Sequence, residues 1–259
     1  MLLWLIRKPE FTTEHIMPLK RRLEKRLADM NGQVSEKKNE TRKEKKDGRI
    51  QSIIECTFGL FADNGIENIS MNDIAAEAKI GVASLYRYFQ TKEELAIEVA
   101  IYAWNLETAV FNEVFTSEKF DSLTGFEQMR ELLEIFADAL VTQRSFFSFV
   151  YYFDSFIKKE KVSPEKLREY EKTIVVTSEI VVKALEKGIS DGSISFSGSK
   201  NEVLAASTTQ EMFTTMMHSL FCLAQKLSIS GELLNMDRSV AARKQIEILI
   251  NIILVALRN

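Results

Sequence analysis

The side chains best suited to chemistry in this 259-residue chain stand between Ser70 and Lys92. In the run GVASLYRYF, Gly81 to Phe89, Leu85 and Phe89 are four apart and share one helical face, with Ile74 and Ile80 as partners in a small core. Val82, Ala83, Ser84, Tyr86, Arg87 and Tyr88 are left on or near the outer faces. The small residues at 81, 83 and 84 let the helix backbone come close to a groove. The hydroxyls of Ser84, Tyr86 and Tyr88 suit phosphate oxygens, and Arg87 suits either a phosphate or the O6 and N7 acceptors of guanine. Lys92 adds its charge to the free N–H groups at the start of a following helix, a second place to grip an anion. An isolated Y-x-Y pair, by contrast, is what ordinary aromatic packing also gives.

These residues need elements to hold them. From Gly48, Ile50, Ile53, Ile54, Phe58 and Phe61 form one helical face that ends at Asn64-Gly65, where glycine accepts the left-handed conformation. Ser70 can cap a short helix from Met71 to Ala78, with Asp73 three residues on. A tight turn at Lys79-Ile80 opens a third helix, and Thr91-Lys-Glu-Glu94 has the capping-box pattern for a long fourth helix carrying Leu95, Val99, Tyr102 and Leu106 inward. Three short helices followed by a long one, with a tight turn between the second and third, is the layout of a helix-turn-helix reader.

The run FADNGIENISMNDIAAEAKIGVASLYRYFQTKEEL, Phe61 to Leu95, resembles the DNA-binding half of the tetracycline-repressor-like (TetR) family of bacterial regulators. Helix end, I-A step, L-Y-R-Y-F block and K-E-x-L opening agree in one register; beyond residue 105 the likeness is architectural only. One departure is Lys79, where the family frequently has glycine. The resemblance implies a DNA-contacting set of Ser70, Asn72, Lys79, Gly81, Val82, Ala83, Ser84, Tyr86, Arg87, Tyr88, Thr91 and Lys92. It also implies that residues 96–259 bind a small effector and form a homodimer.

Charge is distributed unevenly. Residues 1–47 hold 13 basic and 8 acidic residues, whereas the remainder holds 21 against 29. The segment 48–95 has four basic and seven acidic residues, so an acidic reader needs cations from elsewhere. Residues 1–47 are expected to be a basic flexible extension, with a short basic helix after Pro18 and an arm, Glu36 to Asp47, that has no apolar residue to pack. Such an arm can reach a minor groove or a membrane surface. The plain alternatives are a solvated leader, or translation that begins at Met17 or Met30.

The rest of the chain reads as helices near 124–143, 145–158, 164–187, 200–227 and 237–258, with Ser163-Pro164 as an N-cap and first helical position and Gly188 and Gly192 marking a helix end and turn. Only three prolines interrupt the chain, and the fold class is all-α: an N-terminal helix-turn-helix domain at 48–95, then a helical effector-binding and dimerisation domain at 96–259. The stretch Ser145 to Lys158 is aromatic on every face and is expected to be buried all round. An effector pocket is expected at Phe136, Phe146, Phe149, Tyr152, Phe153, Met212, Phe213, Met216 and Met217, although such stripes also make plain core. Ile248 to Leu257 carries more apolar surface than one buried face requires, which points to a four-helix interface between two copies. Two recognition helices about 34–36 Å apart would then meet a palindromic operator. Glu211, His218 and Cys222 share a helix face, but no fourth convergent ligand is indicated and no metal is expected.

A composition of 46% apolar and 27% charged residues excludes collagen-like, disordered and disulfide-scaffold classes. Cys56 and Cys222 without a C-x-x-C pattern fit reduced thiols in a cytoplasm, and no apolar run reaches membrane-spanning length. No phosphate loop or G-x-S-x-G is present, and His15 and His218 are the only histidines, so neither enzyme nor cofactor is expected. The reading is a DNA-binding transcriptional regulator, a homodimeric repressor released by a small hydrophobic or aromatic effector. A ligand-dependent activator and a protein-interaction module without DNA binding are the alternatives.

Overall fold

Helix α1, Arg42–Asn64, opens the computed structural model, which describes residues 42–115, 117–195, 201–230, 233 and 235–258. The helix begins ahead of Gly48, where the apolar pattern starts. Lysine, arginine and glutamate are good helix formers, so the charged run continues the helix with Lys45 to Arg49 exposed. The lack of apolar residues forbids packing there, not helicity. The rest of the expected extension, including the basic helix after Pro18, lies outside the described residues.

Residues 52–259 make up the larger of two units, divided after Gln51. In the larger unit, Ile53, Phe61, Ile66, Ile74, Leu85, Phe89 and Leu95 are buried, each contributing about 1.5–3 kcal/mol of transfer free energy. Gly65 ends α1 at φ +79° and donates its N–H to the Phe61 carbonyl at 3.0 Å. Ser70 caps α2, Met71–Glu77: its hydroxyl accepts the Asp73 N–H at 3.2 Å while the Asp73 carboxylate accepts the Ser70 N–H at 2.8 Å. The turn into α3, Val82–Tyr88, puts Lys79 at φ +53°, the conformation for which glycine is the ready residue.

Helix α4, Lys92–Phe115, starts at Thr91, whose hydroxyl accepts the Glu94 N–H at 3.1 Å. The Glu94 carboxylate reaches back to the Gln90 N–H rather than to that of Thr91 itself. Along α4 the buried face runs through Leu95, Val99, Ala100, Ala103 and Trp104. Leu106, expected inward, is 43% exposed, and Tyr102 is half-buried, because a 3.6-residue period carries the face to 103 and 104 instead.

Beyond α4 come α5 (Glu118–Ser122), α6 (Gly125–Thr142), α7 (Arg144–Lys159), α8 (Pro164–Ser190), α9 (Glu202–Ala206), α10 (Thr209–Ser230), α11 (Asn235–Arg238) and α12 (Ala242–Arg258). No strand occurs among the described residues, and the architecture is all-α. Helix α8 packs on α4 and α6, α10 on α7, and α12 on α6. Ser163 holds the N-cap position of α8 with Pro164 at the start of the helix, as expected, but its hydroxyl makes no capping hydrogen bond. The expected helix at 200–227 is broken in two, since Thr208 and Glu211 form a reciprocal cap that starts α10 afresh. The last helix likewise opens at Ala242, not near 237.

Gly188 does not end α8, which runs on to Ser190; the turn comes at Gly192, φ +74°. Gly188 is needed for another reason. A Cβ at Gly125 would fall on the Gly188 backbone, and one at Gly188 would strike Ile194, so α6 and α8 cross with their main chains touching. Asp191 and Ser193 then cap α6 from this turn, accepting the N–H groups of Gly125 at 2.8 Å and Phe126 at 3.0 Å. Helix α7 departs from the expectation of burial all round. Phe146, Phe147, Phe149, Val150, Phe153 and Phe156 are buried, but Tyr151 is 45% exposed and Asp154 and Ser155 are exposed, which leaves one polar strip.

Candidate functional site

Two features of residues 52–259 could do chemistry: the outer face of the helix-turn-helix and a cavity among the later helices. On the first, α3 is anchored by Leu85 and Phe89, exposed by 0% and 3%, so its register is fixed. Opposite them Gly81, Val82, Ala83, Tyr86 and Arg87 are exposed, Tyr86 by half of its surface, and Ser84 and Tyr88 are half-exposed. The Arg87 guanidinium donates to the Ser84 hydroxyl at 2.9 Å, which orders it along the helix surface. Ser70, Asn72, Lys79 and Thr91 are exposed on the flanking segments. Asp73 sits among them, its carboxyl held below the ordinary range by the Ser70 hydroxyl and amide.

Lys92 is placed differently from the other cations. Its ammonium lies over the Phe156 ring, 5.6 Å from the centroid, and 3.4 Å from the Glu67 carbonyl oxygen. Burial pulls its pKa down, opposed by the carboxylates of Glu160, Glu67 and Glu93. Nearby, Lys159 of α7 pairs with Glu67 at 2.6 Å, and the Tyr152 ring lies close over Gly65. The Phe58 ring of α1 meets Phe149 of α7 at 5.4 Å. Helix α7 is therefore braced against the helix-turn-helix at three levels.

The cavity has a volume of about 450 Å³ and is walled by α4, α6, α7, α8 and α10. Trp104, Phe136, Phe146, Phe147 and Phe221 make an aromatic wall, with Trp104 and Phe221 stacked at 5.6 Å and Trp104 and Phe146 edge-on at 5.1 Å. Of the residues expected to form a pocket, Phe136, Phe146, Phe213 and Met217 line it. Phe149 and Phe153 do not; they stack on each other at 5.9 Å in the core, and Met212 and Met216 are buried away from the lining. Tyr152 stands at Gly65 instead. Aromatic spacing on a helix is the same for core and for cavity, and only the facing helices decide between them.

Polar groups of the cavity were missed by periodicity. Glu107, half-buried on α4, lies one turn beyond Trp104, and burial alone pushes its carboxyl up to about 7. Burial also raises Asp154 of α7, with the Gln225 side chain opposing. The Trp104 indole donates to the Tyr170 hydroxyl at 3.2 Å, and desolvation holds that phenol well above its usual range. His218 and Cys222 of α10 also line the cavity, whereas Glu211 is engaged with Thr208 outside it. The signal for Glu107 was available: a carboxyl three residues after Trp104 on an otherwise apolar helical face. No cluster of three or more His, Cys, Asp or Glu suited to a metal occurs among the described residues, and no helix there is long and apolar enough to cross a membrane.

Comparison with known proteins bears on the first feature directly. Residues 53–99 match the family model described as bacterial regulatory proteins, tetR family. An HTH-type transcriptional regulator of Staphylococcus aureus (strain USA300) is 38% identical over 93 residues, 36% of this chain and 48% of that protein. The chain thus spans about half the length of the curated relatives it matches. A TetR-family regulator from Agrobacterium tumefaciens superposes with a TM-score of 0.59 at 18% identity, covering 82% of this chain and 99% of the other. The fatty acid degradation regulator FadR from Bacillus halodurans gives 0.56 at 12% identity, over 84% and 97%. At these identities the likeness concerns the fold: three helices of a helix-turn-helix followed by a larger helical part. Residues 53–99 thus match the N-terminal part of the tetR family of bacterial regulatory proteins, and the chain shares the fold of solved regulators described as TetR-family.

Proposed function

We propose that the protein is a homodimeric, sequence-specific DNA-binding regulator, a repressor whose grip on a palindromic operator is released by a small apolar effector. The observation that carries this reading is the face of α3. Tyr86 and Arg87 are exposed over a core locked by Leu85 and Phe89, and neither is needed to hold that core. Such side chains fit phosphate oxygens and guanine edges in a major groove. The domain division at 48–95 and 96–259 and the contact set from Ser70 to Thr91 belong to the same proposal. Lys92 reaches DNA only by leaving Phe156 and Glu67.

The dimer reading rests on α12. One face, Ile246, Ile250, Ile253 and Leu257, is buried, and a second, Ile248, Ile252 and Val255, is 47%, 61% and 60% exposed. The effector reading rests on the cavity, whose size and apolar walls with a few polar groups are those of a small-molecule site. To release DNA, an effector must bind better to a conformer whose two recognition helices are wrongly spaced.

The test is operator binding by Tyr86→Ala with Arg87→Ala, measured by fluorescence anisotropy on genomic fragments that the purified protein itself selects. The expected result is an affinity loss of about tenfold or more, or about 1.4 kcal/mol, with the melting temperature unchanged. Undiminished affinity would overturn the assignment of α3.

A further inference from the structure

The charge of the cavity wall narrows what it can hold. Among its lining residues are two carboxylic acids, Glu107 and Asp154, and no lysine or arginine. Glu107 is half-buried; Asp154 is the more exposed residue, yet its carboxyl is desolvated against the same wall. No described side chain pairs with Glu107. An ionised carboxyl against apolar walls without a partner is costly, and the cost disappears when a cation sits beside it. The rings nearby act in the same direction, because the negative faces of Trp104, Phe146 and Phe221 attract a cation and repel an anion.

We propose that the cavity takes an apolar, aromatic ligand carrying a protonated nitrogen, with Glu107 as its counter-ion and Asp154 as a second carboxylate in the wall. This rests on the reading of the cavity as an effector site. Anionic ligands are disfavoured by the same groups, since each would meet two carboxylates in a wall whose single basic side chain is the His218 imidazole. Neutral hydrocarbons leave Glu107 unpaired and so bind more weakly than a cation of equal size. The upward displacement of the Glu107 carboxyl, to about 7, accords with a group that lacks a positive partner until one arrives.

Three tricyclic probes of similar shape separate the cases: 9-aminoacridine, a cation; acridine, neutral; and anthracene-9-carboxylate, an anion. They are titrated in the absence of DNA at mildly alkaline pH, where both carboxyls are ionised. Quenching of Trp104 is read in the otherwise intact chain with Trp4→Phe, so that the only tryptophan is in the cavity wall. The cation is expected to bind about tenfold or more tighter than the anion, with the neutral compound between. Glu107→Gln, which keeps size and shape, is expected to remove most of that preference, and Asp154→Asn a smaller part. If the tricycles bind but the anion equals the cation, or if Glu107→Gln leaves the order unchanged, the charge proposal falls and the effector cavity stands. If none of the three quenches Trp104, both fall.

Discussion

Glu107 illustrates how one residue can set a measurable property of the whole chain. Burial raises its carboxyl from an ordinary 4.5 to about 7. Between those values the folded chain holds a proton that the unfolded chain has lost, so stability is highest below the window and falls as pH rises through it. The loss is at most about 3–4 kcal/mol, given about 1.4 kcal/mol per pKa unit. Glu107→Gln is expected to match the parent's melting temperature in acid and to exceed it above pH of about 7, as thermal melts across a pH series would show. Asp154, raised for the same reason, adds a slope of the same sign in both proteins and cancels in the comparison. At this scale the outward face of α3 was legible from spacing alone, because Leu85 and Phe89 fix which way Tyr86 and Arg87 point. The resting place of Lys92 was not, since Phe156 and Glu67 reach it from distant parts of the chain.

Helix boundaries were readable wherever a local rule sets them. Ser70 with Asp73, Ser163 before Pro164, and Gly65 after Asn64 each act within a few residues, and each stands as its type predicts. Thr208 with Glu211 is the same signal, and it divides a stretch whose apolar pattern reads as continuous. What lay beyond reach was contact between elements. Gly188 has the type of a helix end yet lies inside α8, where Gly125 of α6 touches it. Gly125→Ala is accordingly expected to destabilise the fold by about 3 kcal/mol or more, as overpacking against a backbone does, with an isolated α3 surface left unaltered. Chemical denaturation would check it; a loss below about 1 kcal/mol would mean that the crossing can open without cost. The cavity was half legible for a related reason. Phe146 and Phe149 have the same type and lie on the same helix, but the first lines the cavity, edge-on to Trp104 of α4, while Phe58 packs the second.

For the whole molecule, association is the first property to test. Burying Ile248, Ile252 and Val255 against a second copy would remove the largest apolar excess of α12. Ile252→Asp with Val255→Asp is expected to give a folded monomer by sedimentation, and to weaken operator binding by more than tenfold because two half-sites are no longer held together. A dimer that survives both changes would move the interface away from α12. Helix α7 bears on what such a dimer can transmit. Its Phe146 and Phe147 stand in the cavity wall and its Phe156 and Lys159 at the helix-turn-helix, about 20 Å further along at 1.5 Å per residue. If the cavity holds an effector, as proposed, α7 links it to the helix-turn-helix, with the Phe58 contact at Phe149 lying between the two ends. On that proposal a tilt of about six degrees at the cavity would swing Lys159 through about 2 Å, and two copies moving together would change the span between recognition helices by up to about 4 Å, against the 34–36 Å that successive grooves demand. An effector would then need only to wedge an angle, and its thickness between the rings would count for more than its length.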